Sequence, residues 1–314
     1  MRPDPPVDLI PVLEIGGTHL ESALVTRGTW RVVPGSSTRR SLDASSSAEA
    51  LISAIVDSML AVPRGHGSHW AIAIPGPFDY DAGIGQYEHV GKFDSLRGVS
   101  VREQLRRRLH PTPASLRFLN DADAFGVGDY AVGGADRQAR VVAITLGTGV
   151  GSAFLNNGEP VNSGPSVPPH GSAHLITYRG RPLEETVSRR AILAAYSEAT
   201  GIAPGDVPDV RELADLSRDG NQTAADILAS AFHHLGAALA PVVDRFGATT
   251  LVVGGSMARS WDIVEPALRA GLKWEVPALA SLEVRRAARE SEVVLIGAAF
   301  WGDRQEGVAR HELS

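Results

Sequence analysis

A side chain able to accept a proton stands at Asp121, in the stretch LRFLNDADAFGVGDYAVGG (Leu116–Gly134). A short apolar run ends at Asn120–Asp121, and a helix-like segment follows at once. Two readings of this pair stay open. Asn and Asp are favoured helix N-caps, which would make the pair structural. A carboxylate at a strand end also faces the crevice where α/β folds bind ligands. There it could take the proton of a substrate hydroxyl as that oxygen attacks a γ-phosphoryl group. Asp123 is the poorer base, because a helix would turn it elsewhere.

A phosphate donor needs its own grip, and IPVLEIGGTHLESALV (Ile10–Val25) offers one. Gly16 and Gly17 form a turn between two apolar runs, with Glu14 just before them. Glycine at such a corner lets the backbone approach a ligand closely, and successive N–H groups can cradle phosphate oxygens. A dinucleotide fingerprint would need G-x-G-x-x-G opening a helix, with an acid about 20 residues on. Here the glycines are adjacent, and Leu20, Ser22 and Leu24 alternate with their neighbours as in a strand. The unit is strand, turn, strand, and an oxidoreductase becomes remote. The same plan returns about 130 residues later in VVAITLGTGVGSAFL (Val141–Leu155). Such an echo marks duplicated architecture, and two turns could hold different phosphates of one nucleotide.

The elements that must position these groups alternate. Strand-like runs occupy Val12–Ile15, Leu20–Val25, Trp70–Ile74, Leu116–Leu119, Val141–Leu146, Gly151–Leu155, Thr250–Val253 and Val293–Ile296. Helix-like patterns lie at Ala48–Leu60, Val101–Leu109, Ala122–Val132, Glu184–Ala199, Gln222–Arg245 and Trp261–Ala270. Pro208–Asn221 reads as a polar helix-and-turn connection on the surface. Strands alternating with helices imply an α/β class, and 314 residues suit two domains better than one. The net charge of −6 argues against nucleic acid. With no cysteine, disulfides, thiolate metal sites and a cysteine nucleophile are excluded. The proline-rich start lacks an apolar signal core, and no uncharged apolar run reaches about 18 residues. A cytoplasmic location away from membranes is therefore expected.

The motifs EIGGTHLESALV, IAIPGPFD, FLNDADAFGVGD, TLGTGVGSAFLNNG, LEETVS and LVVGGSMARS occur in the order seen in ROK-family sugar kinases. The resemblance runs from about Val12 to Ala299. It implies a two-domain actin/hexokinase-like fold with a cleft between domains. The domains would be residues 1–119 plus about 297–314, and 120–296. Further implications are an ATP-dependent phosphotransfer to the 6-hydroxyl of a hexose or amino hexose, Mg²⁺ carried with ATP, and a homodimer. Asp121 matches the catalytic base and Asn120 a ligand for sugar hydroxyls. Gly76 lies in the IPGP run, which resembles the loop that borders the sugar in the family. Gly16, Gly17 and Thr18 match the first phosphate hairpin; Gly147, Thr148, Gly149 and Gly151 match the second. Gly254–Gly255 resembles the turn beside adenine and ribose. Glu14 stands where the family has an Asp that positions Mg²⁺–ATP.

Departures from the family pattern are informative. The family shows G-E-x-G-H, a Cys-rich zinc loop, then a Leu-Glu pair near the sugar. Here the segment reads PPHGSAHLITYRGRPLEETVS. His174 fits the family histidine and Glu184 the sugar-binding glutamate, but the cysteines are gone, so no structural zinc is expected. Gly171 replaces the family's glutamate, beside His170. Losing a carboxylate that binds a sugar hydroxyl should shift specificity, which brings an amino sugar such as kanosamine into view. Glu184, Asp94 and Glu88 are candidate acceptors for an amine. Lys92 and Asp94 lie where the family places a sugar-side loop. Repressors in this family carry a winged helix before the first hairpin. Only about 11 residues precede it here, which leaves a noncatalytic sugar sensor acting through a partner as the alternative.

Overall fold

The structure, a computed structural model, describes residues 8–133, 139–289 and 291–312. By its contacts the chain forms two units, Met1–Gly134 with Ser291–Ser314, and Ala135–Glu290.

The first unit runs β1 (Leu9–Ile15), β2 (His19–Thr26), β3 (Arg31–Val32), β4 (Thr38–Ser41), α1 (Ala48–Leu60), β5 (His69–Ile74), β6 (Phe78–Asp79), β7 (Ile84–Gly85), α2 (Val101–Arg108), β8 (Ser115–Asn120) and α3 (Asp121–Val132). Its sheet has the order β3-β2-β1-β5-β8, with β4 also on β2. β1 pairs antiparallel with β2 and parallel with β5, and β8 continues the parallel half. Successive residues of β1 point to opposite faces. Leu13 and Ile15 join Leu51, Ile55 and Leu105 of α1 and α2 in one core. Val12 joins Ala124 and Leu295 in another. A strand covered on both faces should be an unbroken apolar run, and Ile10–Leu13 is.

The second unit runs β9 (Arg140–Leu146), β10 (Val150–Asn156), β11 (Glu159–Pro160), β12 (Thr177–Tyr178), β13 (Arg181–Pro182), α4 (Glu184–Val187), α5 (Arg189–Thr200), α6 (Val210–Arg218), α7 (Gln222–Phe246), β14 (Thr250–Gly254), α8 (Trp261–Glu275) and β15 (Glu283–Arg286). Its sheet order is β11-β10-β9-β14-β15. β9 pairs antiparallel with β10 and parallel with β14, as β1 does with β2 and β5. The echo in the sequence is thus a repeated sheet plan. By length and mean hydropathy (1.3) α7 would pass for a membrane span, but most of that window is buried in the unit. It is a core helix. α6 is also partly core, through Val210, Leu213 and Ala214.

The chain then closes the first unit with α9 (Val293–Glu312). This corrects the strand expected at Val293–Ile296. The run V-V-L-I is β-branched, but G-A-A follows it, and small residues let this helix press onto α3. A Cβ on Gly128 would stand 1.8 Å from the carbonyl oxygen of Val293, and one on Gly297 1.8 Å from that of Ala124. Burial at this crossing overrides strand propensity. The crossing also keeps α3 and residues 291–296 with the first unit, whereas the sequence reading divides the chain at residues 120 and 297. The paired helices of the second unit use the same device: a Cβ on Gly236 would lie 2.1 Å from the oxygen of Leu268, and one on Gly271 2.0 Å from that of His233.

Candidate active site

In the first unit the turn Gly16–Gly17–Thr18 closes the β1–β2 hairpin. The Gly16 N–H donates to the carbonyl of His19 (2.8 Å), and the Thr18 carbonyl accepts from Leu42 (2.9 Å). Thr18 is exposed at the tip. A side chain on Gly16 would meet the His19 ring at 2.7 Å. Glu14 lies opposite Glu21 across the strands, an unfavourable like-charge pair unless met by cations. His19 Nε2 is 3.4 Å from Glu14 Oε1. Arg39 and Ser37 donate to Glu21 at 2.9 and 2.8 Å. The donor atoms of Glu14, His19 and Glu21 lie within 4.8 Å of one another.

The structural reading of Asn120–Asp121 holds for Asn120. Asn120 is the N-cap of α3: its Oδ1 accepts from Ala122 (2.9 Å) and Asp123 (3.3 Å). Its Nδ2 donates to the hydroxyl of Tyr80 (2.9 Å), which leaves one N–H for a ligand. Asp121 is the first helical residue and keeps part of its surface open. Burial pushes its carboxyl pKa up; the Ala122 N–H and the Lys92 cation oppose this, and the Glu14 charge adds to it. Desolvation wins, so Asp121 is a stronger base than an ordinary carboxylate.

The sugar-loop glycine expected from the sequence, Gly76, lies against the same pair. A Cβ there would be 3.3 Å from the Tyr80 hydroxyl and 3.8 Å from Asn120 Nδ2. Tyr80 is a neighbour of Asn120 and Gly76 that sequence reasoning passed over; an aromatic three residues after GP was the available signal. Burial raises its pKa, with Asp121 and Asp123 adding to the rise, so it stays a neutral hydroxyl. Tyr87, also buried, donates to the Pro75 carbonyl (2.6 Å). Arg102 fixes the approach to this loop, donating to the carbonyls of Asp81 (2.9 Å), Ala82 (3.3 Å) and Leu116 (2.5 Å) over the face of Phe118.

In the second unit Gly147–Thr148–Gly149 closes the β9–β10 hairpin. Gly147 donates to the Gly149 carbonyl and accepts from the N–H of Arg189, both at 3.1 Å. Gly151 lies within β10, opposite Thr145, rather than in the turn. Gly255 (φ 88°) is required: a Cβ would stand 2.3 Å from the Leu146 oxygen. The Gly254–Gly255 corner therefore packs on the base of the turn. Glu184 opens α4, and its Oε1 lies 2.9 Å from where a Gly149 Cβ would be.

The His170–Glu184 segment is irregular. His170 is exposed and left-handed (φ 56°), so it and His174 share no helical face. His174 sits half-buried in the next turn, Ala173–Leu175. Gly171 is left-handed too (φ 67°), and a Cβ would meet Asn162 Oδ1 at 2.7 Å. Ser152 Oγ donates to its carbonyl (2.6 Å) and accepts from Ala173 (2.7 Å). A side chain here would need the left-handed backbone and would displace the Asn162 carboxamide. β12 and β13 form a short hairpin anchored on α7, with the Tyr178 ring 5.7 Å from that of His234. Of the three candidate amine acceptors, Glu88 pairs with Arg97 (2.7 Å) and Asp94 accepts from the amides of Val90 and Gly91. Glu184 makes no side-chain hydrogen bond or ion pair among the described residues.

A profile of the ROK family matches residues 11–304. The glucokinase of Thermotoga maritima is 24% identical over 242 residues, 70% of this chain and 74% of that protein. The N-acetyl-D-glucosamine kinase of Haemophilus influenzae is 24% identical over 278 residues, 82% of this chain and 86% of that one. The ROK glucokinase of Streptomyces griseus, solved with glucose and AMPPNP, superposes with a TM-score of 0.75 at 21% identity, over 94% of this chain and 99% of its own. That likeness gives the chain the actin/hexokinase-like fold. With repeated sheets, paired glycine turns and a profile match over nearly its whole length, the chain belongs to the ROK family.

Proposed function

We propose that the protein transfers the γ-phosphoryl group of ATP to the 6-hydroxyl of a hexose or amino hexose. The observation that carries this reading is Asp121. It is a part-buried carboxylate of raised basicity at the end of β8, in the electrostatic field of Glu14, which borders the first glycine turn.

Asn120 and Tyr80 would orient the sugar beside that carboxylate. Asp121 takes the hydroxyl proton as the new O–P bond forms. The bond from Pγ to the β,γ-bridging oxygen breaks, and its electron pair leaves with ADP. The proton on Asp121 then returns to solvent. With the Gly16 and Gly147 N–H groups spent closing their hairpins, the N–H groups of Gly17 and Thr18 and of Thr148 and Gly149 are the ones offered to phosphate oxygens. Glu14 is a hard oxygen donor at the turn, the chemistry Mg²⁺ prefers; Mg²⁺ bound with the nucleotide would neutralise phosphate charge.

Glu184, without an ionic partner of its own, is suited to a sugar hydroxyl or a protonated amine. That and the closed space at Gly171 support an amino hexose as well as glucose. The test is ADP release from ATP with glucose, mannose, N-acetylated hexosamines and free amino hexoses such as kanosamine. Transfer to at least one is expected. ATP binding by calorimetry with no phosphorylated product from any of them would overturn the reading in favour of a noncatalytic sensor.

A further inference from the structure

Two of the chain's 30 Lys and Arg residues are lysines, Lys92 and Lys273. Lys92 stands over the first glycine turn: its Cδ is 3.6 Å and its Nζ 4.0 Å from the point a Gly17 Cβ would occupy. It makes no hydrogen bond or ion pair among the described residues. A cation thus lies at the turn with no direct ion pair among the described residues, its charge felt by the Asp121 carboxyl.

The segment that presents it is built to hold position. Phe93 is fully buried and left-handed (φ 61°), its N–H donates to the Ala44 carbonyl (2.7 Å), and its ring lies 5.4 Å from that of Tyr87. On the other side, the carboxylate of Asp94 takes the N–H groups of Val90 (3.1 Å) and Gly91 (3.2 Å). His89, Gly91 and Phe93 are all left-handed (φ 57°, 77° and 61°). For His and Phe this backbone is unfavourable, and it persists where the surroundings over-determine it, commonly at functional sites. An ammonium group is a compact charge that binds phosphate oxygens without the planar fork of arginine.

We propose that Lys92 is a catalytic residue, whose ammonium contacts the γ-phosphoryl oxygens as the group passes from ATP to the acceptor. The assignment rests on the phosphotransfer reading above. It follows from position: the cation lies at the first glycine turn and its field acts on Asp121, the two groups a transferring phosphoryl must approach in this unit.

Lys92→Met and Lys92→Arg test it. Lys92 is exposed, so both variants should fold, which circular dichroism checks. In the methionine variant kcat should fall by about 10²–10³, the usual loss when one group stabilising transition-state charge is removed. The sugar KM should stay within about twofold, and the arginine variant should recover part of the rate. Calorimetry with AMPPNP and ADP should show the wild-type preference for the triphosphate reduced about tenfold in Lys92→Met. An active wild type beside a methionine variant with unchanged kcat and unchanged AMPPNP preference would overturn the role of Lys92 alone. A wild type that phosphorylates none of the sugars would overturn the phosphotransfer reading and this assignment with it.

Discussion

Glu184 and Gly149, 35 positions apart in the chain, are in contact: the carboxylate oxygen of one lies 2.9 Å from where the other would carry a Cβ. The glutamate assigned to the sugar and the glycine assigned to phosphate therefore constrain each other. Gly149→Ala places a methyl group against a flexible side-chain end rather than backbone, so the fold should survive. The glutamate must shift, and a misplacement of about 1 Å can cost on the order of 10²-fold. We expect kcat/KM to drop roughly 10- to 100-fold with Tm nearly unchanged, measured by steady-state kinetics and thermal melting.

Asp121→Asn should lower kcat by about 10²–10⁴, the range for loss of a general base, while ATP binding is retained. Its effect on stability has the opposite sign. The folded carboxyl has a raised pKa, so the folded state holds this proton more tightly than the unfolded chain does. The stabilisation is fully present below the unfolded pKa and is lost as pH rises through the folded one. At neutral pH the ionised group is a burden, and the asparagine variant should melt higher than wild type. A lower Tm at pH 7 would contradict this. Wild-type kcat/KM should fall on the acid side with a midpoint above the ordinary carboxylate range.

Gly128→Ala and Gly297→Ala should each be severely destabilising. The added methyl group meets backbone at 1.8 Å, which no rotamer relieves, so α3 and α9 must separate. Overpacking costs 1–3 kcal/mol in ordinary cores; a backbone clash at a helix crossing should reach about 3 kcal/mol or more. Denaturant unfolding reads this directly. An alanine at Gly205, with nothing within 4 Å, is the neutral control.

Arg102→Lys keeps the charge and loses the fork that gathers four carbonyls, those of Tyr80, Asp81, Ala82 and Leu116. Leaving such groups unpaired costs about 1–3 kcal/mol. Because those carbonyls flank Tyr80, the sugar KM should rise more than the ATP KM. Equal effects on both would show that the Tyr80 segment is not what Arg102 supports.

The hairpins, the parallel strands and most helices were legible because their apolar periodicity is strong. Three features were not. Val293–Ile296 is as β-branched as a strand, and its helical state depends on glycines of α3 far earlier in the chain. Glu184–Ala199 carries one continuous helical pattern, yet it breaks at Ser188, which caps α5 through the N–H of Ala191. β15 is the polar run EVRR at a sheet edge, with no alternation to mark it. At the site, glycine corners and Asn120–Asp121 stood out by type and spacing. The partners of Asn120 did not, since Tyr80 enters through tertiary contact and Gly76 gains its meaning only beside it.

The left-handed backbone at Gly171 carries a consequence for substitution at this position. A glutamate placed there would face both a disfavoured φ and the carboxamide of Asn162, while Ser152 Oγ holds the Gly171 carbonyl and the Ala173 N–H just after it. Asn162 would have to yield first, so the two positions are epistatic. Grafting the family's glutamate alone should give a misfolded loop instead of a relative's sugar preference.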